Sequence, residues 1–189
     1  MPPENARASA TGTKMTRVDL SCPGADMPGA LDFAHFADTM ASLAATVCVA
    51  TSADGDERYG RTVTAVTSLT AQPPSILVSI TKGSDLARLI EKTEQFSLSL
   101  LADDQEEIGN AFAGKLSLED RFKIGVWGQW PSGQPKLAGA ATSIECKLAG
   151  VVEMDTHCLF IGILVSAEKT EASPLLWYER EYHTLAPKP

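Results

Sequence analysis

Hydroxyl-bearing and small residues recur through Thr62, Thr64, Ala65 and Ser68. A strand of this kind can offer backbone N–H groups and hydroxyls to a flat ring that carries hydrogen-bond acceptors, and its short side chains let such a ring lie close. The same residue types are also good strand formers on a solvated face. Downstream, Thr81-Lys82-Gly83-Ser84-Asp85 combines a cation, a glycine that permits close approach, and the start of a helical pattern. Free N–H groups and the helix dipole favour an anion at such a point, although an ordinary strand-to-helix turn has the same composition. His157 opens a strand-like run. Its imidazole can orient an amide or offset a developing negative charge, or it can be a satisfied strand histidine with no chemical role.

These residues need elements to hold them. From Asp32, placed to cap a helix, Phe33, Phe36, Met40 and Leu43 recur at helical spacing. Thr46 to Ser52 reads as a strand, Ala53-Asp54-Gly55-Asp56 as a hairpin turn, and Gly60 to Thr70 as the returning strand. Pro73-Pro74 then joins it to a second β-run. Ser84 opens a helix that turns Leu86, Leu89 and Ile90 inward, and a strand follows over Gln95 to Leu101. Asp103 is placed to cap a helix holding Ile108 and Phe112, which Gly114 ends. Ile144, Cys146 and Leu148 alternate with Ser143, Glu145 and Lys147 as in a half-buried antiparallel strand. Further strands are expected over Cys158 to Val165 and Leu175 to Thr184, the latter with Tyr178, Arg180 and Tyr182 on one face. Many short strands with about three helices describe a mainly β, antiparallel barrel with covering helices.

Composition narrows the choices. A chain of 189 residues with 44% hydrophobic content forms one domain with a real core. Residues 1–28, rich in Ala, Pro, Ser, Thr and Gly, read as a flexible tail, and 29–189 as the domain. The formal charge of -8 and the scattered Lys and Arg disfavour nucleic acid. No apolar run approaches the roughly 20 residues that span a bilayer, and no signal-type segment is visible, so a cytoplasmic address without membrane contact is expected. Cys22, Cys48, Cys146 and Cys158 show neither a CxxC pair nor metal-ligand spacing, so no metal is expected. Three of them lie in strand-like runs as small apolar residues.

GRTVTAVTSLT at 60–70, TKGSD at 81–85, FSLSLLADDQ at 96–105, NAFAG at 110–114, DRF at 120–122, DTHCLFIG at 155–162 and YEREYHTL at 178–185 occur in one consistent order. In this the chain resembles the flavin reductase family over residues 30–186. The resemblance implies an FMN-binding split β-barrel that reduces FMN or FAD with NADH or NADPH, and often supplies a separate flavin-dependent monooxygenase. It implies a homodimer with sites near the subunit interface. It also implies that Thr62, Val63, Thr64, Ala65, Ser68 and Leu69 line the flavin ring, and that Lys82, Gly83, Ser84 and Asp85 hold its phosphate end. Ser99, Phe112, Gly114, Arg121 and Tyr178 complete the implied cofactor contacts, with Phe122 and Trp127 beside Arg121 as a cover or as plain packing. Asp155-Thr156-His157 stands where members carry Gly-Asp-His, which makes His157 the candidate near the nicotinamide. Two alternatives stay open: a flavin-binding electron carrier without NAD(P)H activity, and a flavin-dependent reductase of a bound substrate such as a corrinoid.

Overall fold

A computed structural model describes residues 15–20 and 28–186. The first element is β1 (Thr16–Asp19), which lies parallel to residues 150–153. Part of the segment expected to be tail is therefore a strand; residues 1–14 and 21–27, and the reading of Cys22 with them, lie outside the described residues. Helix α1 (Phe33–Ala41) follows, its first turn closed by the Asp32 carboxylate, which accepts from the His35 N–H. A short β2 (Ala45–Thr46) leads into β3 (Cys48–Asp54) and β4 (Glu57–Val63), paired across the expected Gly55 turn.

The run 60–70, expected as one strand, is two. It breaks at Thr64-Ala65, and β5 (Val66–Ala71) pairs instead with β6 (Pro74–Thr81). The break has an architectural meaning. In the main sheet, order β4-β3-β7-β10-β11-β6-β5, strands β4 and β5 are opposite ends, yet only two residues separate them in the chain. The sheet must therefore curl until its two edges meet, which makes a barrel split at Thr64-Ala65. The remaining members are β7 (Gln95–Leu100), β10 (Thr142–Glu153) and β11 (His157–Lys169). Between them come α2 (Asp85–Thr93), α3 (Glu106–Asn110), a wider π-type turn over Ala111–Lys115, α4 (Leu118–Arg121) and the small hairpin β8 (Trp127–Gln129) and β9 (Pro135–Leu137).

Two cores share the sheet. Ile76, Val78, Ile80, Leu86, Ile90, Phe96, Leu98 and Phe160 fill the barrel interior beneath α2. Val47, Val49, Leu101, Ile108, Phe112, Phe122 and Leu137 form the second, outside it. Alternation along β3 sends Ala50 to one core and Val49 to the other. Gly162 has no room for a side chain: a Cβ there would meet Cys146 Cβ at 2.8 Å.

Three local expectations give way to longer-range packing, and one holds. Ser143 and Glu145, expected on a solvated face of β10, are buried, because β8–β9 lies over that side and the Leu137 carbonyl accepts from the Ser143 hydroxyl. Asp103 does not cap α3. Its N–H donates to the Ser173 carbonyl, and Gln105 stands at the cap position. Gly114 ends the π-type turn with φ 111°, as expected of a terminating glycine. The last strand is a hairpin of β12 (Leu176–Tyr178) and β13 (Glu181–His183), with Glu179 and Arg180 at its turn. Tyr178, Arg180 and Tyr182 thus do not share one strand face.

Candidate functional site

The split in the barrel brings the chemistry-bearing segments together. Thr81 at the end of β6 is the register partner of His157 at the start of β11. The two face the β4–β5 break, where the Ala65 carbonyl accepts from the Ser79 N–H at 3.0 Å. Thr62, Thr64, Ala65, Ser79, Thr81 and His157 line a cavity of about 270 Å³. His157 is exposed at its rim, and its Nδ1 lies 2.9 Å from the Thr156 hydroxyl. A larger cavity of about 430 Å³ adjoins across Thr64-Ala65, between α1 and Trp177. Room for two flat groups therefore exists on either side of that break.

A third cavity, about 350 Å³, meets the first at Arg61 and runs on past Gly60, Gly83, Ser84 and Arg121. Gly83 adopts φ 72°, a left-handed turn that suits glycine, and Ser84 caps α2 by accepting from the Ala87 N–H at 3.2 Å. Arg121 is buried and held by two carbonyls, donating from Nη1 to Gly60 at 3.2 Å and from Nε to Leu116 at 3.3 Å. Burial, and then the Arg61 charge, push its guanidinium below the usual arginine range. Among the described residues no carboxylate lies within salt-bridge distance of Arg61 or Arg121. Two neighbouring cations without a counter-ion, one of them desolvated, are unfavourable alone and favourable beside an anion. With the N–H groups at the start of α2, this donor set fits a phosphate ester.

The sequence-predicted residues divide accordingly. Thr62, Val63, Thr64 and Ala65 line the ring-sized cavity, and Gly83, Ser84, Asp85 and Arg121 line the anion cavity. Lys82 is elsewhere: its Nζ sits 2.5 Å from Glu153 Oε1, and Glu153 is also gripped by Arg17. Its charge is neutralised on the far side of the loop. Ser68 and Leu69 lie on exposed β5, beyond the cavity wall. Phe112 is fully buried, packed edge-on to Phe122 at 5.0 Å and beside Trp127 at 5.3 Å. That cluster is core rather than a cover. Ser99 is buried within the sheet between Val49 and Ser143. Gly114 is exposed at the end of its turn, and Tyr178 is on the C-terminal hairpin against His183. Cys48 and Cys146 have thiols pushed up to about 12 by burial, which keeps them unreactive.

Sequence reasoning missed Arg61. It stands inside the quoted motif, and the available signal was a lone cation on a strand leading to a hydroxyl-rich break. Ser79 and Thr81 were missed as partners because only the β6–β11 register brings them to His157.

A split barrel with a ring-sized cavity and an anion cavity beside it suits a protein that positions a nucleotide. The chain belongs to the flavin reductase like domain family, whose sequence profile matches residues 40–186. It is 38% identical over 156 residues to the reductase component of an FADH(2)-dependent resorcinol hydroxylase from a Rhizobium strain, covering 81% of this chain and 87% of that one. It is 32% identical over 173 residues to the FMN reductase (NADH) RutF of Ancylobacter novellus, covering 91% and 96%. The styrene monooxygenase flavin reductase of Pseudomonas putida superposes with a TM-score of 0.72 at 27% identity, over 82% of this chain and 99% of that structure.

Proposed function

We propose that this chain reduces a flavin, FMN or FAD, with NADH or NADPH, and releases it to a flavin-dependent monooxygenase. The observation that carries the reading is the continuity of the ring-sized cavity at His157 with the Arg61–Arg121 anion cavity. When bound, the flavin supplies a hydride acceptor at its N5. The protein's part is positional. The Thr62 hydroxyl donates to the Gly109 carbonyl at 2.7 Å, so backbone N–H groups of 62–65 and the Thr64 hydroxyl are what this segment offers to the ring edge. Arg61, Arg121 and the start of α2 hold the phosphate. His157, at the rim, orients the nicotinamide carboxamide or offsets charge on the reduced ring.

The functional unit is a homodimer in this reading, supported by α1. Phe33, Phe36, Met40 and Leu43 form an apolar face that is from 41% to 82% exposed, and it borders the cavity on Thr64-Ala65. A second subunit would cover that face and wall the site. A donor drawn from the NAD(P)H pool goes with a cytoplasmic address. Among the described residues no helix is long and apolar enough to cross a membrane.

Absorbance titration with FMN and FAD, followed by NADH and NADPH oxidation, tests the reading. Retention of flavin at micromolar protein with turnover supports it; no retention overturns it; retention without turnover favours the electron carrier. His157→Ala should slow flavin reduction at saturating NADH by about threefold to a hundredfold, the loss of one hydrogen bond. Oxidised-flavin affinity should stay within a fewfold. Unaltered reduction and NADH affinity would make His157 a plain strand residue.

A further inference from the structure

Strand β10 outruns one of its neighbours. Its register with β7 ends at Lys147, while its pairing with β11 continues to Glu153, so residues 148–153 would present an open edge on the β7 side. β1 lies along 150–153 of that edge, and Met15 just ahead of it packs on the barrel core. Arg17 gives this strap a second use. Its Nε and Nη2 donate to Glu153 Oε2, and its Nη1 donates to Glu91 Oε2 on α2 at 3.1 Å. The other Glu153 oxygen holds the Lys82 ammonium. Covering an edge needs only backbone, whereas this guanidinium fork ties together the end of a strand, a helix and a loop of the site.

We infer that Glu153, braced by Arg17, is a positioning residue for hydride transfer that acts through Lys82 on His157, and this rests on the role given to His157 above. The path is short. The Lys82 N–H donates to the Thr156 carbonyl at 3.0 Å, and the Thr156 hydroxyl lies 2.9 Å from His157 Nδ1. The Met154 N–H donates to the His157 carbonyl at 2.8 Å, which closes the turn on which the imidazole stands. Residues 155–157 are exposed, so hydrogen bonds rather than packing fix that ring. With Nδ1 engaged, Nε2 is the nitrogen left for a carboxamide. A ring displaced by about 1 Å loses rate, whereas a flavin phosphate held by Arg61 and Arg121 keeps its contacts.

A double-mutant cycle tests the path. Stopped-flow flavin reduction at saturating NADH and the FMN dissociation constant are measured for wild type, Glu153→Ala, His157→Ala and the double variant. Glu153→Ala should slow reduction about twofold to tenfold, the size of an accessible ion pair with its hydrogen bond, and keep FMN affinity within a fewfold. In the His157→Ala background it should slow nothing further, because the group it positions is gone. Arg17→Ala, on exposed β1, should act the same way to a lesser degree, and it takes the place of Glu153→Ala in the cycle should that variant fold poorly. Equal slowing in both backgrounds means that Glu153 acts on the fold at large, and overturns the inference. An unaltered rate in Glu153→Ala beside a slow His157→Ala also overturns it, and leaves the His157 reading standing. A neutral Arg17→Ala beside a slow Glu153→Ala overturns the bracing by β1. An unaltered rate in His157→Ala overturns both the inference and the reading beneath it.

Discussion

Helices α1 and α2 are each nine residues long, and each begins at a residue whose side chain accepts an N–H from the first turn: Asp32 from His35, Ser84 from Ala87. Their interiors part company. Leu86, Ala87, Leu89 and Ile90 of α2 are buried on the barrel, whereas α1 buries nothing. Among the described residues, α1 is tied down towards its C-terminal end, by the Glu179 N–H to the Ala41 carbonyl and the Arg180–Asp38 pair at 2.9 Å. Apolar periodicity specifies that a stripe exists. Which surface covers the stripe is a separate matter, decided by whether the chain can bring a partner to it. For α2 the sheet does so. For α1 the surface is left to the second subunit proposed above.

The sharpest test of that contrast pairs Leu89→Ala with Phe36→Asp. Leu89 is fully buried, so its truncation should lower unfolding stability by about 2–5 kcal/mol in denaturant titration. Phe36→Asp should leave a folded protein whose light-scattering mass falls to the 20.1 kDa of one chain. A monomeric wild type, or a dimer indifferent to Phe36→Asp, would mean that α1 serves no interface.

The helices also differ at their N-termini. That of α1 faces its own Asp32 and His35, while that of α2 opens on Arg61 and Arg121. Arg121→Ala should therefore weaken FMN binding by about tenfold to a hundredfold, the size of a lost charged hydrogen bond, and leave riboflavin nearly unaffected. Equal losses for both ligands would show that Arg121 only braces Gly60 and Leu116.

What could be read from the sequence follows the same division between local and distant causes. Both caps, the Gly55 hairpin and the inward face of α2 were legible, because each depends on residues a few positions apart. The C-terminal hairpin was not. Its turn residues Glu179 and Arg180 take φ 49° and 63° without a glycine or asparagine to announce the left-handed backbone. The burial of Ser143 and Glu145 depends on a hairpin that folds over them. In the site, the small and hydroxyl residues of 62–65 stood out in the sequence because their chemistry is intrinsic, and they line one cavity with His157. Arg61 was not singled out, because only Arg121 from α4 gives it significance. Lys82 looked like the phosphate ligand, because Glu153 belongs to a distant strand.

The Lys82 correction gives the smallest and most specific prediction. Glu153 lies between Lys82 and Arg17, and its carboxyl is held below the usual range, first by the Lys82 hydrogen bond and then by Arg17. A group whose pKa is depressed on folding adds stability that is fully present above its unfolded value and is lost as pH falls through the folded value. Lys82 has the opposite sign: its pKa is raised by Glu153, so its contribution persists below the ordinary lysine value of 10.5 and fades as pH rises beyond it. The pair therefore acts across the neutral range and fails in acid. Wild type should be slightly more stable than Glu153→Gln at pH 7, and the difference should shrink as pH falls below the ordinary glutamate value of 4.5. Lys82 is exposed and Glu153 only half-buried, so the effect is small, while Leu89→Ala should lose its stability at every pH. Lys82→Ala should reproduce the behaviour of Glu153→Gln and leave the FMN dissociation constant within a fewfold. If it instead weakens FMN as strongly as Arg121→Ala, Lys82 leaves Glu153 for the phosphate when flavin binds, and the loop, rather than α2 and Arg121 alone, holds the anion.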